Sequence, residues 1–409
     1  MSRKIFVTTL IIALIANLLT ACGAPAATSQ AQSSTAAPAA SQSAESKSAD
    51  AAAPAETTDG EIVFGVISAI TGSFPMAGEM TRKGVEMACE EINSAGGVLG
   101  KKLVPQFEDD AAKQDMAVNA AKKLISDKVV AILGPNMSTN VIAISEDIKA
   151  AKMPTLVGGT SPKIYDLNNE YIFRIRPADT ISAAAAAQYM YEDVGARTIG
   201  VLTNNDDFGS GGKDVILSYL NTKDDVTVVE QGVNSGDKDL TGQIVMFKNA
   251  GIDALIYWGH DAEVSILARQ TTELGLDVPT VTSGSLPQVV GSLDAEYVAG
   301  WCVSTDMSAA DTRPAMAEFV KKFNEKYSMD PEVYATAFYG GTILLADALQ
   351  RAGSTDAEAL VKALQETKDV AGPIGNYNCQ PNRDMLKGCT IMQYDGNKEE
   401  SVVANVVVG

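Results

Sequence analysis

Short runs of β-branched and other apolar residues alternate with helical patterns along most of the chain. The clearest example is residues 129–162, where the apolar run 129–133 stops at a glycine and a proline and a small polar turn follows. Residues 141–151 then place apolar side chains at helical spacing, and a second apolar run covers residues 154–157. This order predicts strand, loop, helix, strand and loop, which is half of a parallel sheet layer.

Both predicted loops leave the carboxyl ends of neighbouring strands, where open α/β sheets bind their ligands. Ser138 and Thr139 stand at the start of the predicted helix, in the position of an N-cap. The free N–H groups of the first helical turn and the positive end of the helix dipole would then face the loop. We therefore expect a small anion such as a carboxylate to bind there, and the alternative is that Ser138 only caps its helix.

The same alternation predicts two domains. One set of strands and helices fills residues 61–178, and the alternation restarts in residues 179–306. Three helical patterns then follow in residues 307–372, and they are too many for the second set alone. Residues 373–409 have the short apolar runs that are typical of strands. We therefore predict an N-terminal lobe of residues 61–178 plus 307–372 and a C-terminal lobe of residues 179–306 plus 373–409.

Three acidic residues precede helical patterns. Asp109 and Asp110 precede one such pattern, and Asp179 precedes an alanine-rich one. We predict that these carboxylates cap their helices, and for the adjacent pair we prefer capping to metal binding. Pro105 lies inside a strand pattern, which predicts that this strand is at the edge of its sheet.

The first 60 residues have a different composition. Residues 5–18 are apolar but short for a membrane-spanning helix, and Leu-Thr-Ala-Cys follows and ends at Cys22. This segment resembles a bacterial lipoprotein signal, which implies removal of residues 1–21 and lipid attachment to the Cys22 sulfur; an ordinary secretory signal is the alternative. The Ala, Ser and Pro of residues 22–60 predict a disordered tether with a reach of about 35 Å. We therefore expect a protein outside the cytoplasmic membrane, lipid-anchored at the cell surface or in the periplasm.

Charge and rare residues narrow the possible functions. The formal charge of −19 argues against nucleic-acid binding. His260 is the only histidine, and the sequence contains no Cys-x-x-Cys and no Gly-x-Ser-x-Gly motif. We therefore predict no metal, no cofactor and no catalytic function. Cys379 and Cys389 flank a polar loop, and we expect them to form a disulfide if the protein is exported.

Nine short motifs follow one another along residues 61–409. They are ISAITGSFPMAG at 67–78, ACEEINSAGGVLG at 88–100, FEDD at 107–110, ILGPNMS at 132–138, GTSP at 159–162, FRIRPAD at 173–179, DDFGSGG at 206–212, DKDL at 237–240 and GPIG at 372–375. None is specific alone, but their order and spacing resemble the extracellular substrate-binding proteins of the branched-chain amino-acid type. The resemblance implies the type I periplasmic-binding fold, an α/β fold of two Rossmann-like lobes with parallel sheets flanked by helices. It also implies a three-strand hinge between the lobes and a ligand in the cleft that they form.

The resemblance also implies which residues contact the ligand. Ser138 would bind the α-carboxylate, Thr160 both the carboxylate and the amine, and Gly159 would contribute its backbone. Phe208 replaces a tyrosine that is common in the family, so its ring would cover the ligand without a hydroxyl group. The two remaining implied contacts are His260 and Tyr334.

One contact of the family has no counterpart in this sequence. The family often supplies a glutamate for the ligand ammonium from a loop that here reads Ser-Gly-Ser at residues 283–285. Asp261, Asp207 and Asp306 are the candidates to replace it, and the sequence does not choose among them. A large aromatic residue of the family is also replaced near Ala77, so the ligand need not be leucine, isoleucine or valine.

These observations predict the solute-binding component of an ABC importer. It would capture an amino acid or a related small carboxylate by hinge closure and deliver it to a membrane permease with its ATPase subunits. The lipid on Cys22 would be its membrane contact, and we expect a monomer. A receptor of the same fold for an aromatic acid, an amide or a sugar is the second hypothesis, and an exported enzyme is the third.

Overall fold

Buried strands followed by amphipathic helices build a first α/β lobe from the N-terminal half of the chain. The computed structural model describes residues 60–407. The first sheet is entirely parallel and has the order β2-β1-β3-β4-β5, with both of its faces covered by helices. Its strands and the intervening helices are β1 (Glu61–Ser68), α1 (Pro75–Ser94), β2 (Lys102–Asp109), α2 (Gln114–Ser126), β3 (Ile132–Leu133), α3 (Ser138–Ala151), β4 (Thr155–Val157), α4 (Lys163–Asp166) and β5 (Ile172–Arg174).

The second lobe repeats this arrangement with a larger sheet. Its order is β12-β11-β10-β9-β8-β6-β7, where β11 is Gly388–Tyr394 and β12 is Glu400–Val407. The pairs β10–β11 and β11–β12 are antiparallel, and the other pairs are parallel. The strand β8 is buried along its whole length, as expected for a central strand covered on both faces. The elements up to β10 are α5 (Asp179–Gln188), β6 (Thr198–Asn204), α6 (Asp207–Leu220), β7 (Thr227–Val233), α7 (Thr241–Ala250), β8 (Ala254–Trp258), α8 (Asp261–Glu273), β9 (Thr280–Thr282) and β10 (Cys302–Thr305).

The chain passes between the two lobes three times. It leaves the first lobe after β5, returns after β10 and crosses again before β11. The three returning helices share the apolar core of the first lobe, where Phe323, Leu345 and Leu364 pack with Ile62. The elements after the second crossing are α9 (Pro314–Tyr327), α10 (Val333–Ala352), α11 (Ala357–Gln365), β11 (Gly388–Tyr394) and β12 (Glu400–Val407).

The predicted two-lobe α/β fold is confirmed, and Pro105 lies on β2 at the edge of its sheet, as expected. In the part of the chain that the model covers, no helix combines the length and hydrophobicity needed to cross a bilayer. The predicted signal peptide, Cys22 and all of the predicted tether except Gly60 lie outside the described residues, and these features stay predictions.

The predicted disulfide between Cys379 and Cys389 is wrong. Both cysteines are free thiols, because they belong to different lobes. Cys379 packs against the core of the first lobe, whereas Cys389 is buried in a core of the second lobe. Burial raises the pKa of Cys379 to about 11 and that of Cys389 to about 12, so both are protonated thiols at neutral pH.

The predicted caps Asp109 and Asp110 are also wrong, since Lys113 occupies the cap position of α2. Asp109 Oδ1 instead accepts hydrogen bonds from the backbone N–H groups of Ile70 and Thr71, at 3.0 and 3.1 Å. Asp110 Oδ2 accepts one from Asn140 Nδ2 at 2.8 Å. The two carboxylates therefore hold the loop after β1 and the first turn of α3.

A buried ion pair attaches the third crossing to the first sheet. Arg174 Nη1 at the end of β5 lies 3.1 Å from Asp384 Oδ1, and both side chains are almost fully buried. The same guanidinium donates to the carbonyl oxygens of Gly159 and Ser161, each at 3.0 Å. Arg174 therefore fixes the loop after β4 to the segment that leads into β11.

We expect Asp384→Ala to lower the free energy of unfolding by about 3–5 kcal/mol, because it leaves the Arg174 charge buried without its partner. Chemical denaturation followed by circular dichroism measures this. Glu358→Ala, which removes an exposed partner of Lys152, is the control and should leave the unfolding midpoint unchanged. Equal stability of Asp384→Ala and the wild type would contradict this role.

Candidate ligand-binding site

Loops from both sheets face one cleft between the lobes, with about 640 Å³ of unfilled space including its open mouth. They follow the carboxyl ends of strands in each lobe, as in other open α/β sheets. Five lining residues carry aromatic rings: Phe74, Phe208, Trp258, His260 and Tyr334. The polar lining residues are Asn136, Ser138, Thr160, Arg176, Asp179, Ser182, Asp261, Ser283, Ser285, Gln288, Ser304, Thr305 and Asp306.

The start of α3 lies in this cleft, but Ser138 does not cap the helix. Met137 takes the cap position, and Ser138 is the first helical residue. Its Oγ accepts hydrogen bonds from the N–H groups of Thr160 and Ser161, at 3.1 and 3.2 Å. The N–H groups of Ser138 and Thr139 have no acceptor within residues 60–407. The two predicted loops are therefore joined, and one end of α3 offers free donors.

Two of the predicted contact residues do not line the cleft. The side chain of Thr139 lies outside it. Gly159 is also absent from the cleft wall, and its carbonyl oxygen accepts the hydrogen bond from Arg174 Nε. A Cβ atom at Gly159 would come within 3.0 Å of Ser138 Cα, so the glycine allows the two loops to pack closely. The remaining predicted residues, including Ser138, Thr160, Phe208 and Tyr334, are brought together there.

Asp179 is a cleft residue that sequence reasoning assigned to a helix cap. Ala178 holds the cap position of α5, and the Asp179 N–H donates to the Thr160 carbonyl oxygen at 2.9 Å. Its side chain is 1% exposed, and its Oδ2 atom has no hydrogen-bond partner in the described chain. Burial raises the pKa of Asp179 to about 6, although the nearby Thr160 hydroxyl and two arginines act in the opposite direction.

The structure distinguishes the three acids that the sequence offered as partners for the ligand ammonium. Asp207 is outside the cleft and forms an ion pair with Lys163 at 3.1 Å. Both carboxylate oxygens of Asp306 are occupied by Arg176. Asp261 lines the cleft, its Oδ1 atom is buried without a partner, and burial raises its pKa to about 6. Asp261 is therefore the free acid among the three.

A second ion pair forms the floor of the cleft. Arg176 Nε and Nη2 donate to the two oxygens of Asp306 at 2.8 and 2.9 Å, and both side chains are largely buried. The guanidinium also lies over the ring of Tyr334, 5.2 Å from its centre. Sequence reasoning missed Arg176, because nothing in its local pattern distinguishes it from a surface arginine.

Rings from both lobes meet at one side of the cleft. His260 of the second lobe contacts Phe208 at 5.2 Å and Phe74 of the first lobe at 5.1 Å, measured between ring centres. His260 Nε2 also lies 2.6 Å from Asp206 Oδ2. Burial lowers the pKa of His260, but the hydrogen bond and the charge of Asp206 outweigh it, so the net shift of the His260 pKa is upward.

Unpartnered polar atoms are concentrated in this cleft. Ten buried side-chain nitrogen or oxygen atoms in residues 60–407 lack a hydrogen-bond partner within the chain. Half of them belong to cleft residues, namely Asn136, Asp179, Trp258, Asp261 and Gln288. Because buried polar atoms in native proteins are nearly always paired, this concentration indicates that a polar ligand completes the site. Across the same residues, no group of three or more His, Cys, Asp or Glu side chains is placed to hold a metal ion.

A family model and two known proteins match most of this chain. The family model described as periplasmic binding protein matches residues 61–399. The chain is 26% identical over 346 residues to Leu/Ile/Val-binding protein homolog 3 of Brucella melitensis, which covers 83% of this chain and 92% of that protein. It is 27% identical over 338 residues to the leucine-, isoleucine-, valine-, threonine- and alanine-binding protein of Pseudomonas aeruginosa, covering 81% and 88%.

A solved structure has the same fold as this chain. The crystal structure of a leucine binding protein LivK from Thermotoga maritima has a TM-score of 0.79 to this chain at 25% identity, and the match covers 85% of this chain and 99% of that one. The resemblance inferred from the sequence motifs is confirmed, as is the prediction of a binding protein rather than an enzyme. From its strand order, its cleft and these matches, the chain belongs to the periplasmic binding protein family, whose members act outside the cytoplasm.

Proposed function

We propose that this protein is the solute-binding component of an ABC importer and binds an amino acid in the cleft between its lobes. The observation that carries the proposal is that free N–H donors at the start of α3 and the buried Asp179 carboxylate, whose Oδ2 atom has no hydrogen-bond partner, line the same cleft. An amino acid is the smallest common solute that presents a carboxylate and an ammonium side by side. The binding functions in the names of the relatives support the same ligand class.

The carboxylate of the ligand would bind at the start of α3. The Ser138 N–H is free, Ser138 lines the cleft, and the helix dipole favours an anion at this end. Thr160 lies beside it, since its N–H group donates to Ser138 Oγ. These are the two positions that the family resemblance assigns to the carboxylate.

The ammonium group would bind between two acids. Asp179 is bound through its backbone to Thr160, so its carboxylate lies next to the proposed carboxylate site. Asp261, at the start of α8 in the same lobe as Asp179, presents a second unpartnered oxygen. An ammonium ion between them would pair with the two buried carboxylate oxygens, Asp179 Oδ2 and Asp261 Oδ1, that have no hydrogen-bond partner in the described chain.

Closure of the lobes would enclose this ligand. Ser161 Oγ of the first lobe donates to the Asp207 carbonyl oxygen of the second at 2.7 Å, and Lys163 pairs with the Asp207 side chain. These contacts and the Phe74–His260 ring contact span the cleft, so each forms only when the lobes are close. A ligand that binds the closed lobes more tightly than the open lobes shifts the equilibrium toward closure by that difference in affinity.

The rest of the proposal concerns the setting of the protein. We propose that Cys22 carries the lipid, that residues 22–60 are the tether, and that the protein acts as a monomer with a permease and its ATPase subunits. The lobes would be residues 61–178 plus 307–372 and residues 179–306 plus 373–409, except that the segment from Ile374 to Leu386 packs with the core of the first lobe. A tether of this length keeps the binding protein concentrated near its membrane partner.

We expect Ser138→Ala to weaken amino-acid binding at least about tenfold, because it removes a polar contact to a charged group. Isothermal titration with a panel of the common amino acids measures the affinities. Thr139→Ala is the matched control, since its side chain lies outside the cleft and its backbone N–H remains. Wild-type affinity in Ser138→Ala would reject the proposed carboxylate site, and binding of sugars but no amino acid would favour the second hypothesis.

We expect Asp179→Asn to weaken binding about 10- to 100-fold at neutral pH, because a neutral amide replaces the charged partner of the ammonium. The affinity of the wild type should also fall as the pH drops below about 6. Asp179 and Asp261 are protonated below their raised pKa values of about 6, whereas the ligand's own charges do not titrate between about pH 5 and 8. Titrations at several pH values measure this slope.

The variant itself is the control for the pH effect. His260 lines the same cleft and also has a raised pKa, so the slope of the wild type contains its contribution. The part of the pH dependence of the affinity that is absent in Asp179→Asn is the contribution of Asp179. An identical slope in the wild type, Asp179→Asn and Asp261→Asn would contradict the ammonium site.

A further inference from the structure

One end of the cleft, around Gly284, is polar apart from the ring of Tyr334, which lies over Arg176. It is formed by Arg176, Gly284, Gln288, Thr305 and Asp306. Within residues 60–407, no leucine, isoleucine, valine or alanine lines any part of the cleft. A branched aliphatic side chain gains affinity from apolar contact area, and at this end of the cleft the Tyr334 ring over Arg176 is a small part of a polar wall.

Three polar groups converge around Gly284. A Cβ atom at this glycine would lie 3.7 Å from Arg176 Nη2 and 3.7 Å from Thr305 Oγ1. Gln288 Nε2 donates to the Gly284 carbonyl oxygen at 3.5 Å, which places the Gln288 amide at the same loop. A guanidinium, a hydroxyl and an amide are therefore neighbours at one end of the cleft.

Two of these groups keep unused hydrogen-bonding capacity of opposite kinds. Arg176 donates through Nε and Nη2 to Asp306, and its Nη1 has no acceptor in the described chain. Gln288 Oε1 is buried and has no donor. A ligand group that satisfies both must accept one hydrogen bond and donate another. A primary amide does both with adjacent atoms.

The charges at this end favour a neutral group over a carboxylate. Both oxygens of Asp306 already compensate Arg176, so a second carboxylate would compete with Asp306 and be repelled by it. An aliphatic end would leave the Arg176 donor and the Gln288 acceptor without partners, at a cost of about 1–3 kcal/mol for each buried group.

We propose that the cleft selects amino acids whose side chain ends in a primary amide, and that Arg176 and Gln288 recognise that amide. This proposal rests on the proposed function, because it takes the α-carboxylate and the ammonium to be bound at Ser138 and Asp179. It assigns to Arg176 and Gln288 the role of specificity-determining residues.

Two sets of nearly isosteric amino acids test this selectivity by isothermal titration. One set is asparagine, aspartate and leucine, and the other is glutamine, glutamate and methionine. We expect one amide to bind at least about tenfold more tightly than both other members of its set, because sites that bind a polar group discriminate strongly against analogues that lack it.

Gln288→Met keeps the size of the side chain and removes its amide. We expect it to reduce the preference for the amide over the aliphatic member of the set about tenfold, the value of one buried hydrogen bond. Gln365→Met, on the exposed side of α11, is the matched control and should keep the wild-type preference. Thermal unfolding monitored by circular dichroism checks that both variants fold.

Gly284→Ala is a second, independent variant. Its new methyl group meets Arg176 and Thr305 at ordinary contact distances, so the fold tolerates it while this end of the cleft becomes smaller. We expect glutamine and asparagine to lose more affinity than alanine does. Tighter binding of leucine or methionine than of the amides, or an unchanged preference in Gln288→Met, would overturn the selectivity. Absence of binding for every amino acid would instead reject the proposed function, and this proposal with it.

Discussion

The ion pair between Arg176 and Asp306 connects the hinge of this protein to the chemistry of its cleft. Arg176 lies on the first crossing between the lobes, and Asp306 lies where the second crossing begins. Removing two charges from water is costly, and a pair of this kind is maintained only by good geometry and further contacts. Here the bidentate contact and the ring of Tyr334 from the first lobe provide them. The pair therefore holds two crossings together and makes the floor of the cleft polar.

A short series of hydrogen bonds joins the two lobes beside this floor. The Asp179 N–H, at the start of the first helix of the second lobe, donates to the Thr160 carbonyl oxygen. The Thr160 N–H donates to Ser138 Oγ, and Arg174 holds the same loop through Gly159 and Ser161. The residues proposed to bind the two charged ends of an amino acid are thus fixed relative to each other next to the hinge. A ligand bound there would lie beside the first crossing between the lobes.

Much of the fold and part of the site follow from sequence pattern, for a physical reason. Strand ends, helix starts and loops are local features, so the loops that carry Ser138 and Thr160 can be placed at the carboxyl ends of neighbouring strands. Phe208 and His260 are assigned only through the family resemblance, and all four residues line one cleft. Asp179 was misassigned because an acid before a helical pattern is usually a cap, and only its burial reveals another role.

Partners that are distant in sequence could not be predicted. Arg176 and Asp306 are 130 residues apart, and their contact exists only because two crossings lie side by side. The predicted disulfide between Cys379 and Cys389 is wrong for the opposite reason. They are close in sequence, but the third crossing separates them into different cores. In both instances the crossings between the lobes determine which residues meet, and no local sequence pattern indicates where those crossings lie.

The most direct test is a crystal structure of the full chain with the small molecule that co-purifies with it. The account predicts an amino acid in the cleft, with its carboxylate within hydrogen-bond distance of the Ser138 N–H and its ammonium next to Asp179. A bound molecule that lacks either charged group, or one held away from the start of α3, would contradict it.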